Sequence, residues 1–254
     1  MRTTFFLCSA VLLAGVLMAQ GPRDRGGFGM RGHGFGGSLS RTPVTGAPYS
    51  AIETIQNQQL LANGNQITQT EQSKVYRDSQ GRTRTERTVT PPAASGKQPF
   101  TEISIVDPVA GYRYELNSST LTAVQTAMPP PRTSTGNRTP PAPPSGPGKP
   151  TVTTANLGTQ TVNGVLATGT QVTETIPAGA FGNAQAIQIV RIRWISNDLK
   201  VPVQIKSSDP RFGTRDLELT NIVQAEPDGS LFIVPSGYTV TTGHPGFPGP
   251  GHKR

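Results

Sequence analysis

A mainly β protein, built as a curved antiparallel sheet or half-barrel of about ten strands with one N-terminal helix, is what the sequence predicts. Three observations point there. From Gln66 onward the apolar residues recur with period two, in runs cut by turn signals such as Asp78-Ser79-Gln80-Gly81 and Asn163-Gly164. No helical run alternates with those strands, so no βαβ crossover is expected. Gly 29 and Pro 24 make up about a fifth of the 254 residues and gather in a few stretches, which predicts disordered Gly/Pro-rich arms around a single domain.

The N-terminus opens with Arg2 and then a largely apolar run from Phe5 to Ala19. This is the pattern of a secretory signal peptide over residues 1–19, cleaved near Ala19, and it falls short of the ~20 apolar residues of a membrane-spanning helix. An exported protein, periplasmic or extracellular and not integral to the membrane, is therefore expected. Cys8 is the only cysteine and leaves with the signal, so the mature chain is expected to lack disulfides, thiolate nucleophiles and Cys-bound metal. Residues 20–48 read as a Gly/Arg-rich arm and 241–254 as a tail. Residues 49–240 read as one β domain, interrupted by a Pro-rich insert over 127–150, where positions 129–150 hold nine prolines.

The net charge of +8 sits mainly in those appendages. Arg23, Arg25, Arg31 and Arg41 face Asp24 alone, and Arg132, Arg138 and Lys149 have no acid beside them. The segments 49–126 and 151–240 together carry 13 basic and 14 acidic residues. A folded nucleic-acid reader shows a basic face on its domain, so nucleic acid is not an expected partner. A cell-envelope component bound through the basic arms is.

Along the domain, residues 50–64 predict the helix: Ser50 and Glu53 have capping-box spacing, Ile52, Ile55, Leu60 and Leu61 give a partly apolar face, and Asn63-Gly64 ends it. Strands follow over 66–77 and 82–90, then on either side of the turn 107–111, and at "TLTAVQ". Past the insert, the Asn163-Gly164 hairpin leads into a meander of three strands, and "SLFIVP" predicts a last short edge strand ended by Pro235.

The stretch "VYRDSQGRTRTERT", residues 75–88, carries four arginines. Arg82, Arg84, Glu86 and Thr88 share one face of its second strand, and Thr83, Thr85, Arg87 and Val89 share the other. The pattern predicts a solvated hairpin at the sheet's rim, with Glu71–Arg87 and Glu86 with Lys74 or Arg77 as cross-strand pairs. A fork of guanidiniums for carboxylate or phosphate is the alternative.

Catalytic machinery is not visible. His33, His244 and His252 are the only histidines and all lie in Gly/Pro-rich tails, so neither a Ser-His-Asp arrangement nor a preorganised metal site is expected. No P-loop, nucleophile elbow or EF-hand spacing occurs, and no cofactor is expected. Glu102, Asp107 and Glu115, around one predicted hairpin, keep a hydrolase open as a third reading. Trp194, the only tryptophan, alternates with Val190 and Ile192 on one strand. It fits either a core position or, with Tyr112 and Tyr114, the lining of an apolar cavity.

The stretches "YRDSQGRTRTE", "IVDPVAGYRYELN", "LGTQTVNGVLATGTQVTETIPAGAFGN", "RIRWISNDLKVPV" and "DPRFGTRDLELTNI" resemble a group of uncharacterised secreted proteins of soil bacteria, acidobacteria especially. The tryptophan-bearing strand followed by "LKVPVQIK" is more loosely similar to the LolA-like periplasmic lipoprotein carriers. That resemblance implies a long meander curled over a helix around an apolar cavity. The expectation is then an exported, non-enzymatic binding or carrier-like module for a lipid or other apolar ligand. Val190, Ile192, Trp194, Tyr112 and Tyr114 would line its cavity, with Arg82 and Arg84 as rim contacts for an anionic head group. The alternative is a structural, envelope-associated scaffold that works through its arms.

Overall fold

The computed structural model describes residues 43–129 and 148–243. The expected signal peptide, Cys8, the three histidines and most of the expected arm, insert and tail lie outside the described residues.

Twelve strands follow in chain order: β1 (Tyr49–Leu60), β2 (Gln66–Arg77), β3 (Thr83–Val89), β4 (Phe100–Asp107), β5 (Tyr112–Asn117), β6 (Thr122–Ala127), β7 (Thr151–Val162), β8 (Val165–Ile176), β9 (Ile187–Ser196), β10 (Pro202–Asp209), β11 (Gly213–Val223) and β12 (Thr239–Thr242). They form one open sheet in the order β12-β6-β5-β4-β3-β2-β1-β11-β10-β9-β8-β7. Two meanders compose it. One runs from β1 out to β6, the other from β11 out to β7, and the pairing of β1 with β11 joins them.

The ten strands read from Gln66 to Gln224 are present, the edge strand expected at "SLFIVP" is not, and two additions bring the total to twelve. Neither is the edge strand that "SLFIVP" suggested. The first is β1, which replaces the N-terminal helix. Ile52 and Ile55, three apart, suit one face of a helix, but here they fall on opposite faces of a strand bonded to both β2 and β11. Tyr49, Ala51, Glu53 and Ile55 take the buried positions at period two. Two cross-strand ladders and the β-branched Ile52, Thr54 and Ile55 outweigh a capping gain of about 1 kcal/mol.

The second addition is β12, which pairs with β6 and makes the sheet mixed rather than wholly antiparallel, because that pair is parallel. The chain leaves β11 at the seam between the meanders and returns along the sheet to the far edge. "SLFIVP" lies on this return path as a 3-10 turn, Gly229–Phe232, followed by extended chain. The Asp228 side chain accepts a hydrogen bond from the Ser230 amide at 2.8 Å and starts that turn.

Hairpin registers follow turn chemistry. Asn163 and Gly164 both have positive φ, 51° and 87°, as the tight β7–β8 turn requires. Lys74 stands opposite Glu86, and Arg87 reaches Glu71 at 3.0 Å and Glu102 at 2.6 Å.

The apolar residues gather in two clusters. One holds Tyr49, Ala51, Val75, Val162, Val165, Ala167, Trp194, Leu199, Val203 and Leu219. The other holds Ile103, Ile105, Leu116 and Ala123, with Tyr114, Val234 and Tyr238 packed against it.

The hairpin predicted as a solvated rim is buried at its turn end. Arg77, Asp78 and Arg84 are all buried. Arg77 donates to the carbonyls of Ala47 at 2.6 and 2.9 Å and of Leu199 at 2.5 Å, and its guanidinium lies 4.9 Å from the centre of the Tyr49 ring. Residues 43–48 lie against the same turn, where Gly46 donates to the Ser79 carbonyl at 2.8 Å. Polar sequence hid this burial because the arginines are satisfied by carbonyls, which leave no trace in residue identity.

Candidate functional site: a cleft beside the return segment

The return segment is held to the sheet by side chains from the arginine-rich hairpin. Glu226 accepts from the amide and the hydroxyl of Ser79, each at 3.1 Å. Arg84 donates through Nη1 to the Leu231 carbonyl at 2.7 Å and through Nε to Glu86 at 2.7 Å. Phe232 is thereby buried, and Val234 and Tyr238 cover the second apolar cluster.

Between this segment and the end of the sheet lies a cleft of about 380 Å³, lined by Arg82, Asp107, Tyr114, Gln125, Phe232, Ile233, Val234 and Val240. That volume lies in the range of small-molecule sites, a few hundred Å³ upward. Ile233 and Val240 expose 61% and 49% of their surface, an apolar lip open to solvent.

The polar wall has no surplus of positive charge. Arg82 pairs through Nε with the buried carboxylate of Asp78 at 2.5 Å, and its guanidinium lies 5.1 Å from the centre of the Phe232 ring. Asp107 accepts from the Val109 and Ala110 amides at 2.9 and 2.8 Å, which fixes its carboxylate at the β4–β5 turn. Gln125 donates to the Tyr114 hydroxyl at 3.1 Å. With one guanidinium already matched by Asp78 and a second carboxylate beside it, this wall favours a group that both donates and accepts over a bare anion.

The structure brings Arg82 and Tyr114 together here. Tyr112, half-exposed, stands beside Tyr114 with ring centres 6.3 Å apart. Arg84 is buried behind the cleft wall rather than at a rim. Val190, Ile192 and Trp194 lie on β9, across the joining strands β1 and β11 from the two tyrosines on β5. Trp194 is buried in the first cluster and Ile192 packs against that cluster. Of these five residues, only Tyr114 lines the cleft.

Sequence reasoning missed Phe232, Ile233, Val234, Gln125 and Val240. The first three stood in the one apolar run, "SLFIVP", that was read as a strand. The carboxylates kept for a hydrolase are engaged otherwise: Glu102 with Arg87, Glu115 with Ser104 and Arg113, and Asp107 with its own turn. Among the described residues no group of three or more His, Cys, Asp or Glu is placed to hold a metal ion. No helix among them is long and apolar enough to cross a membrane.

No protein-family model and no curated protein matches the chain. Solved structures are similar at a distance. The chain resembles one from the MucA/MucB complex of Pseudomonas aeruginosa, with a TM-score of 0.40 and 11% identity, over 78% of this chain and 59% of that one, so it spans under two thirds of that relative. It also resembles the lipoprotein LppX of Mycobacterium tuberculosis, with a TM-score of 0.29, 17% identity, and 72% and 90% of the two chains covered. A LolA superfamily protein of Nitrosomonas europaea is similar with a TM-score of 0.26, 8% identity, and 75% and 92% covered. Likenesses this distant carry no argument about what the chain binds or does.

Proposed function

We propose that this protein is an exported, non-enzymatic binding module that holds one amphipathic ligand in the cleft beside the return segment. The observation that carries the reading is the pairing, in one open cleft, of an apolar lip and a polar wall whose single guanidinium is already matched by a carboxylate. The apolar part of the ligand lies against Phe232, Ile233, Val234 and Val240. Its polar end meets Arg82, Asp107 and the Tyr114 hydroxyl, and is zwitterionic or hydroxyl-bearing rather than purely anionic. A small lipid or another apolar molecule with such an end fits this description.

The test is native mass spectrometry of the chain with lysophosphatidylcholine as a zwitterionic probe and a fatty acid as an anionic one. A one-to-one adduct with the first, weakened about tenfold or more in Ile233→Asp, supports the reading. Ile233 is exposed, so that variant keeps its fold. No adduct with the zwitterionic probe, or equal binding by Ile233→Asp, overturns it and favours a scaffold acting through the arms. Trp194→Ala is the wrong probe, because it empties a core position.

A further inference from the structure

Among the described residues, β7 is a free edge of the sheet. It bonds to β8 on one side only, and every residue from Thr151 to Thr161 is exposed. The outward N–H and C=O groups of such a strand are a template for another strand. Sheets usually guard an edge by making it short, or by placing charge or proline on it. β12, at the other edge, is guarded by length, with four residues. β7 has twelve residues, and none is charged or proline. Its one irregularity is a register shift between Asn156 and Gly158, which leaves Thr151–Asn156 as a regular, unguarded edge.

We propose that Thr151–Asn156 pairs antiparallel with the same segment of a second copy of this chain, so that two sheets join across a two-fold axis. Four features favour a second copy as the occupant. An antiparallel strand meeting itself closes on a two-fold axis. The segment Thr-Val-Thr-Thr-Ala-Asn carries no charge, so self-pairing sets no like charges opposite each other. A two-fold axis normal to the sheet keeps each side chain on its own face, so it passes through a residue: centred on Thr153, the ladder places Thr153 opposite its own copy, and the exposed Val152 opposite Thr154. Threonine facing threonine is the pairing this hairpin already uses: Thr151 faces Thr175, Thr153 faces Thr173, and the hydroxyls of Thr159 and Thr168 lie 3.2 Å apart. The four-residue β12 offers no matching edge, so head-to-tail growth is cut short and the assembly stops at two.

The test is sedimentation velocity of the full chain across the micromolar range, beside the double variant Thr153→Lys/Thr154→Lys. Both positions are exposed, so the variant folds with an unchanged thermal midpoint, yet the lysine at position 153 then faces its own copy on the axis and the one at 154 faces the apolar Val152. The expected result is a concentration-dependent dimer in the wild type and at least about a tenfold weaker one in the variant. Amide exchange should also show protection of residues 151–156 that fades on dilution. A wild type that stays monomeric throughout, or a variant dimer of unchanged affinity, overturns the proposal.

Discussion

The indole of Trp194 occupies the space that a side chain on Gly169 would need. The two residues are register partners on β8 and β9, and a Cβ built on Gly169 would lie 2.6 Å from the ring atoms. A tryptophan in the middle of a sheet is thus accommodated by deleting its neighbour's side chain.

The first prediction follows from that contact. Gly169→Ala forces the indole off its position and costs about 1–3 kcal/mol, the usual range for overpacking a core. The backbone there needs no positive φ, so the whole effect is steric. Urea titration followed by the fluorescence of this single tryptophan measures it, and a midpoint equal to wild type would contradict the close fit.

Tyr49 supplies a pH dependence. Burial, partly offset by the neighbouring Arg77, raises its phenol pKa from 10.0 to about 12. A group whose folded pKa lies above its unfolded value contributes stability that is fully present below the unfolded pKa. For Tyr49 that contribution is lost as the pH climbs from about 10 through about 12. The wild type is expected to lose on the order of 2–3 kcal/mol across that window, and Tyr49→Phe to lose distinctly less. Denaturant midpoints at pH values on either side of the window decide it, and parallel curves for the two proteins would refute the assignment.

The Pro-rich insert has a length requirement set by the sheet order. It connects β6 to β7, which lie near one edge and at the other edge of the sheet. Crossing the intervening strands is a path of up to ~50 Å along the sheet, at ~4.8 Å per step. Residues 128–150 can reach ~75 Å fully extended, whereas the residues left after deletion of 130–147 reach ~17 Å. That deletion is expected to abolish the cooperative unfolding transition of the monomer. Removal of only 133–136 should leave the midpoint unchanged, because the slack absorbs it. Circular dichroism melts of the two deletions test this, and a normal melt for the long deletion would show that the connection takes a shorter route.

The parts of the fold that were legible are those that local chemistry decides. Period-two runs and Gly- or Asn-bearing turns marked β2 to β11. The alternation along residues 82–90 placed Arg87 on the face where it meets Glu71. Illegible parts were settled by distant neighbours. Residues 50–60 carry signals for both helix and strand, and the partners β2 and β11 chose strand. "SLFIVP" has a strand's composition, but the sheet edge it would have joined is filled by β12. Of the candidate site, Arg82 and Tyr114 were legible as a cation and an aromatic near turns. Their meeting with Phe232 and Val240 was not, because the long return of the chain brings them together.

By itself, the sequence determined the class of the fold and the strands β2 to β11 with their turns, since each of these rests on residue types a few positions apart. Only the tertiary structure decided which strands meet, that Arg77 and Arg84 are buried, that Trp194 is core, and where a cleft opens. The physical reason is that burial and pairing belong to contacts between segments far apart in the chain. A guanidinium satisfied by the carbonyls of Ala47 and Leu199 reads, in sequence, the same as one in water.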